Sequence, residues 1–316
     1  MAQADLITVR VQQITYLTET VRAFELRAAT DTALPAFAAG SHIDVYLPEG
    51  LVRSYSLINP SDGRRFVIAV ARDDAGRGGS KRMHAEIAVG QSLRVSAPRN
   101  NFALCEQAPH SVLIAGGIGI TPLYAMLSRL EAIGRSWELH YSARSLQAAA
   151  LAEELGRHFI HGAIHMHYSD AGGGFLDLAI LVAGAPADSH FYCCGPVGML
   201  DAFLGATAAL PAAQVHIERF GGQVTAAAGG FDVILARTGC TLRVEETQTI
   251  LDRLLKEGIE MPYSCREGVC GACETRLVAG QADHRDLIQT DKEKAANKSI
   301  FICCSGSLTP SLTLDI

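Results

Sequence analysis

The stretch Tyr-Ser-Cys-Arg-Glu-Gly-Val-Cys-Gly-Ala-Cys-Glu-Thr-Arg-Leu, residues 263–277, constrains this chain more than any other. It sets Cys265, Cys270 and Cys273 in a C-x4-C-x2-C spacing among the small residues Gly268, Gly271 and Ala272. Such a loop can wrap a compact inorganic centre and turn its backbone N–H groups toward sulfur. Cys303 and Cys304 follow near the C-terminus, with 29 residues between Cys273 and Cys303. The spacing is that of a plant-type [2Fe–2S] centre, in which two irons need four thiolates and a remote strand delivers the fourth. Either Cys303 or Cys304 can serve, and Cys303 is preferred. Zinc also accepts four thiolates, but it favours paired short knuckles, and the second half here lacks C-x2–4-C. Buried thiols are the plain alternative. The chain has nine cysteines, an odd number, and its first residues show no basic head followed by an apolar block. A disulfide framework therefore fits poorly.

The rest of the chain sets the context for that loop. Its 316 residues are more than one typical core needs, and 48% hydrophobic content supports substantial folded cores. A net charge of −6 argues against a general nucleic-acid binder, which needs excess Lys and Arg. No apolar run of membrane-spanning length occurs. The expectation is a cytoplasmic protein without nucleic-acid or membrane partners.

Three patterns follow one another. Residues 1–105 hold short alternating runs, among them residues 6–17, 21–28, 41–47, 52–57 and 65–72, separated by Gly and Pro. They predict an antiparallel β-barrel. Residues 106–222 alternate apolar strands with helices, such as His110–Gly117 followed by a helix over 123–134 that stops at Gly134. That predicts a doubly wound parallel α/β domain. Residues 223–230 lie in an uncharged Gly- and Ala-rich tract and are read as a linker. Residues 231–316 form the cysteine-bearing domain. Its helix over 249–258 carries an apolar stripe at Ile250, Leu251, Leu254 and Leu255.

Several strings carry chemistry, each with a plainer reading beside it. In Leu-Ile-Ala-Gly-Gly-Ile-Gly-Ile-Thr-Pro, Gly116, Gly117 and Gly119 lie between strand and helix, where a pyrophosphate can approach the backbone. A tight β–α turn that binds nothing has the same look, and G-x-G-x-x-G is absent. Cys194-Gly195-Pro196 ends another strand at the edge where open α/β sheets bind ligands; a buried thiol explains Cys194 equally well. Arg53 and Tyr55 share one strand face, suited to a phosphate and a flat ring, in otherwise ordinary strand composition. Residues 76–84 resemble an anion nest at a helix start, or a solvated loop. His165 and His167 alternate on one strand with His161 near; a metal site and two exposed strand histidines both fit.

Taken together, Arg-x-Tyr-Ser at 53–56, Gly-Gly-Ser at 78–80, Gly-Gly-x-Gly-x-Thr-Pro at 116–122 and Cys-Gly-Pro at 194–196 resemble ferredoxin–NADP reductase-like flavoproteins, in that order. The plant-type ferredoxin module narrows the resemblance to the phthalate dioxygenase reductase family, which includes vanillate demethylase reductases. Residues 216–222 and 282–286 look similar too. The resemblance implies an FMN-binding β-barrel, an NAD-binding domain and a C-terminal β-grasp [2Fe–2S] domain. It implies that Arg53, Ser54, Tyr55 and Ser56 hold the flavin, that Val70, Ala71 and Arg72 line it, and that Gly78, Gly79 and Ser80 cradle its phosphate. Thr121 and Pro122 would approach the flavin, and Phe220 would cover one ring face until nicotinamide displaces it. Gly116, Gly117, Gly119, Gly195 and Pro196 would contact NADH, with Cys194 beside the nicotinamide, while Arg144 and Ser145 could in principle meet the 2′-phosphate of NADPH. Cys194, Ser56 and Phe220 are thus the catalytic candidates. Cys265, Cys270, Cys273 and Cys303 match the cluster ligands, with Cys304 where the family usually has Val. Ser145 stands where an acidic residue would favour NADH, so that coenzyme preference rests on the family.

The implied activity is electron transfer. A nicotinamide releases an electron pair as hydride, a [2Fe–2S] cluster takes electrons singly, and a flavin can divide the pair. The expected protein is the monomeric reductase component that serves the terminal oxygenase of a two-component Rieske system acting on an aromatic compound. Alternatives are a reductase for another acceptor, such as a monooxygenase or P450, and a non-enzymatic [2Fe–2S] carrier. Arg266, Glu267 and Val269 in the cysteine loop are the expected partner contacts.

Overall fold

The computed structural model describes residues 6–76, 78–170, 176–220, 226–263 and 265–316, apart from the side chains of Glu49 and His158. The chain divides into two compact units, Met1–Phe220 and Gly221–Ile316.

The first unit begins with β1 (Ile7–Tyr16), β2 (Val21–Ala28), β3 (Ser41–Tyr46), β4 (Val52–Ser56), β5 (Arg65–Ala71), helix α1 (Gly79–Ala85), β6 (Ser92–Val95) and β7 (Arg99–Asn100). The strands form one antiparallel sheet in the order β4-β3-β6-β1-β2-β5, with β7 on β3. A Leu57–Ile68 bridge and the Ile58 N–H donating to the Val67 carbonyl join the two ends of that order and close a barrel. Every second residue points inward: Val9 and Val11, Phe24 and Leu26, Ile43 and Val45, Phe66, Ile68 and Val70, Leu93 and Val95. Each such side chain, fully buried, stabilises the barrel by about 1.5–3 kcal/mol. This is the expected β-barrel. Strands β6 and β7 were not marked by the sequence pattern.

The same unit continues with β8 (His110–Gly116), α2 (Ile120–Ala132), β9 (Ser136–Ala143), α3 (Ala152–His158), β10 (Ala163–Tyr168), α4 (Leu178–Gly184), β11 (His190–Cys194), α5 (Val197–Ala206) and β12 (Val215–Glu218). The strands are parallel in the order β10-β9-β8-β11-β12, so the chain reverses its winding between β8 and β11. Ligands bind at such a reversal, beyond the carboxyl ends of the strands. Central β8 is covered on both faces: Val112 and Ile114 belong to one core, Leu113 and Ala115 to another. That double burial is why its sequence is a continuous apolar run. Helix α2 buries Ile120, Leu123, Met126, Leu127 and Leu130. It stops at Gly134, whose φ is +64°. The Gly134 N–H donates to Glu131 O and the Arg135 N–H to Leu130 O, the pairing of a Schellman cap.

The second unit holds β13 (Phe231–Leu235), β14 (Thr241–Val244), α6 (Ile250–Lys256), β15 (Glu274–Ala279), β16 (Ala282–Asp283), α7 (Asp291–Ala296), β17 (Ser299–Phe301), β18 (Gly306–Ser307) and β19 (Ser311–Leu314). A mixed sheet in the order β14-β13-β19-β15-β17, with β13 parallel to β19, carries α6 in the β-grasp manner. Thr249 and Asp252 form a capping box at the start of α6, which buries Ile250, Leu251 and Leu254. Residues 221–225 of the tract around the expected linker lie outside the described residues. The remainder is bonded into this unit: Ala227 N–H donates to Cys304 O, Gly229 N–H to Glu246 O and Gly230 N–H to Val244 O. Among the described residues no helix is long and apolar enough to cross a membrane.

Candidate functional site

At the winding reversal of the parallel sheet, the turn after β8 packs directly on the turn after β11. A Cβ on Gly116 would lie 2.6 Å from Pro196 Cδ, and one on Gly119 would collide with the Cys194 carbonyl oxygen. These two glycines, with Gly195 against Gly116, let the turns interlock. Gly117 is different: its φ is +54° and nothing lies within 4 Å of the position a Cβ would take. It is the residue of the three whose backbone is open to a ligand. Thr121 and Pro122 are buried in the first turn of α2, and the Thr121 hydroxyl donates to Ile118 O at 2.9 Å. Arg144 is exposed at the carboxyl end of β9, while Ser145 caps a short turn by accepting from the Ala148 N–H at 3.3 Å.

Cys194 is fully buried, and burial, with Glu218 and Cys193 close by, pushes its thiol well up, so it stays protonated. Glu218 lies opposite Cys194 in the β11–β12 pairing. Its Oε2 is enclosed without a hydrogen-bond partner among the described residues, and burial pushes the carboxyl up to about 8. A carboxyl neutral at pH 7 beside a neutral thiol is a placement that the linear sequence did not disclose. Phe220 follows two residues later and is 42% exposed.

The barrel brings its candidates to the same unit. Ala69 and Ala71 share an apolar cluster with Ala115, Ile118 and Ile120, which sets β5 against the glycine turn. On β4, alternation sends Arg53 and Tyr55 to one face and Ser54 and Ser56 to the other. Arg53 lies against α1: a Cβ on Gly79 would sit 2.6 Å from its Cγ. Burial pushes the Tyr55 hydroxyl up, so it remains a donor. The Ser54 hydroxyl donates to Asp44 Oδ1 at 2.7 Å, and Asp44 also pairs with Arg99 at 2.6 Å, which gives Ser54 a structural task. Ser56 Oγ is buried and has no partner among the described residues. His42 is opposite Ser56 in the β3–β4 pairing, and both its ring nitrogens are likewise unpartnered. Burial, and then Arg99, hold the His42 imidazole down to about 4. Val70 points its side chain into the barrel core, and its carbonyl faces His84 Nε2 at 2.8 Å. Arg72 is largely exposed, 3.4 Å from Asp74. Gly78, with φ +84°, opens α1, and Ser80 Oγ accepts the Asp73 N–H at 3.0 Å. An orphaned buried hydroxyl at Ser56 and, on the other face of the same strand, an arginine packed on a glycine-led helix start fit a flavin. Its phosphate would be held at Gly78–Ser80 and its ring near Ser56.

In the second unit, Cys265, Cys270, Cys273 and Cys303 are all buried. The loop reverses through Arg266, Gly268 and Gly271, with φ of 57°, 66° and 77°. Backbone N–H groups turn inward to sulfur: Glu267 N–H donates to Cys265 Sγ at 3.2 Å and Cys265 N–H to Cys270 Sγ at 3.4 Å. Hydrogen bonds from the Cys273 and Cys304 thiols, and from the Gly268 amide, hold the Cys303 sulfur down to about 3. Cys304 is pushed up by donating to Cys303 and by burial, and its sulfur packs on Gly268. Both sulfurs of the adjacent pair are thus enclosed, and the Cys304 thiol faces the Phe301 carbonyl at 3.7 Å. Four enclosed sulfurs ringed by amide donors suit a [2Fe–2S] cluster. Arg266 stacks on Tyr263 at 4.6 Å and faces Asp252 at 3.6 Å, which fixes one of the expected partner contacts in place.

Comparison with known proteins agrees with this anatomy. The 2Fe-2S iron-sulfur cluster binding domain family matches residues 233–306. Phenoxybenzoate dioxygenase subunit beta of Ectopseudomonas oleovorans is 50% identical over 98% of this chain and 97% of its own length. The structure of phthalate dioxygenase reductase, described as modular for electron transfer from pyridine nucleotides to [2Fe–2S], superposes with a TM-score of 0.75 at 35% identity, covering 99% of this chain and 98% of that one. The chain belongs to the phthalate dioxygenase reductase family. A self-sufficient type IV cytochrome P450 monooxygenase is also similar, with a TM-score of 0.86 and 37% identity over 98% of this chain, which spans only 41% of that longer protein. As a member of this family, the chain is a flavin and iron–sulfur oxidoreductase.

Proposed function

We propose that this reductase carries electrons from NADH through FMN and a [2Fe–2S] cluster to the terminal oxygenase component of a Rieske system acting on an aromatic compound. The observation that carries the reading is one chain in which four buried, amide-ringed cysteines accompany a glycine turn interlocked with Cys194-Gly195-Pro196 at a sheet reversal. FMN, when bound, accepts hydride as a pair and releases electrons singly. The chain's own residues bind, orient and shield. Gly117 admits the coenzyme diphosphate, and Arg144 stands at the adenosine side. Cys194 and Glu218, both neutral, place no fixed charge beside the nicotinamide. Ser56, whose buried hydroxyl has no partner among the described residues, would donate to the flavin ring, Arg53 and Ser80 would hold its phosphate end, and Phe220 would shield the ring. Cys265, Cys270, Cys273 and Cys303 ligate the cluster.

The protein acts as a cytoplasmic monomer that engages neither nucleic acid nor membrane, in keeping with its net charge of −6. Reconstitution with candidate oxygenases tests the assignment: NADH must be consumed in step with product formation. Cluster bands without flavin bands would instead mark an electron carrier. The likeness to 41% of a self-sufficient cytochrome P450 monooxygenase favours one second reading, a P450 as acceptor; turnover with a P450 and none with any Rieske oxygenase would establish it.

A further inference from the structure

One face of the parallel sheet gathers four histidines and a glutamate that electron transfer does not use. Glu138 and His140 alternate on β9 and so share a face. In the strand pairing His165 lies opposite His140, His167 opposite Ser142, and His110 opposite Ser136, which puts all three imidazoles on that face too. His161, the third histidine of the sequence pattern, is elsewhere and pairs with Glu131 at 2.8 Å.

Two enclosed ring nitrogens of this cluster lie near a carboxylate without a hydrogen-bond partner among the described residues. His140 Nε2 is 3.7 Å from Glu138 Oε1, and His110 Nε2 is 4.0 Å from the same oxygen. Both distances are too long for hydrogen bonds. Both ring nitrogens are enclosed and have no partner among the described residues. Their other nitrogens are engaged: His110 Nδ1 with Ser136 Oγ at 2.7 Å, and His140 Nδ1 with His167 Nε2 at 3.3 Å. If His140 Nδ1 carries the proton, its Nε2 lone pair faces a carboxylate oxygen, an acceptor against an acceptor. A cation between them removes the conflict.

We propose that Glu138, His140 and His165 form a Zn²⁺ site on this face of the sheet. One ligand atom from each of the three lies within 4.8 Å of the others. Tetrahedral zinc with bonds of about 2.0–2.1 Å needs ligand atoms roughly 3.3–3.4 Å apart. The Glu138–His140 separation is already close to that. His165 is exposed, stacks on His140 at 4.6 Å between ring centroids, and closes the remaining gap by side-chain rotation. His167 takes the orienting role, bonded to the far nitrogen of a ligand imidazole. Two imidazoles and a carboxylate select zinc over magnesium or calcium, and the fourth position falls to water or His110.

The test is calorimetric titration of Zn²⁺ into the oxidised holoenzyme, with the visible spectrum followed so that intact cluster cysteines are verified throughout. The expected result is one equivalent bound. His165→Ala and Glu138→Gln should each weaken binding at least tenfold, and Cys240→Ser, at an exposed thiol remote in sequence, should leave it unchanged. Both ligand variants alter partly or fully exposed positions, and their melting temperatures without zinc verify folding. No saturable binding, binding insensitive to either ligand variant, or loss on Cys240→Ser overturns the proposal.

Discussion

Gly119 and Cys194 meet without room for a methyl group: a Cβ on the glycine would run into the cysteine's carbonyl oxygen. The contact locks the turn after β8 to the turn after β11. Gly119→Ala should therefore separate the two turns and cost about 1–3 kcal/mol, read as a lower Tm. Gly117→Ala, in open space at positive φ, should cost only about 1–2 kcal/mol through backbone strain and act mainly on KM for NADH. Equal, negligible effects on Tm and KM from both would show that the interlock carries no weight.

Cys303 and Cys304 should respond differently to loss of sulfur. Cys303→Ser is expected to lose most of its iron and visible cluster absorption. Cys304→Ser should keep both, since its sulfur packs on Gly268 and faces the Phe301 carbonyl. Iron analysis of the two purified variants decides, and the opposite pattern would reassign the fourth ligand.

The unpartnered Ser56 hydroxyl predicts a kinetic rather than a structural defect. A hydrogen bond worth about 1–1.5 kcal/mol corresponds to roughly tenfold in rate. Ser56→Ala should slow flavin reduction by NADH by about that factor in stopped flow, with the melting temperature unchanged or raised. An unchanged rate would place the hydroxyl outside the reaction.

Glu218 makes stability depend on pH with a definite sign. Its carboxyl titrates near 8 in the folded protein against an ordinary 4.5, because burial disfavours the charge. The folded state thus holds an extra proton between these values. The stability this contributes is fully present below the lower value and is lost as pH rises through the upper one. Glu218→Gln does not titrate, so its stability relative to the unaltered protein should rise by on the order of 1–3 kcal/mol between about pH 5 and 9. Urea melts at several pH values check this; a flat difference would mean the carboxyl is solvated.

The local parts of this architecture were readable in the chain and the long-range parts were not. The Cys265–Cys273 spacing, the stop at Gly134 and the stripe on α6 each express a constraint among near neighbours, so sequence alone carries them. Strands β6 and β7 escaped because four and two residues are too few to show a period. Glu218 beside Cys194, and His42 opposite Ser56, depend on which strands pair and in what register. The same holds for Glu138 and His140, which gain meaning only when β10 brings His165 alongside. Ser54 stood in the flavin string, yet its hydroxyl answers to Asp44, a partner on a different strand.

The bond from the Ala227 amide to the Cys304 carbonyl reaches beyond geometry. It ties the first stretch of the second unit to the residue next to Cys303. That amide and the carbonyl that receives it are 77 positions apart in sequence, so one bond staples the start of the ferredoxin module to its closing segment.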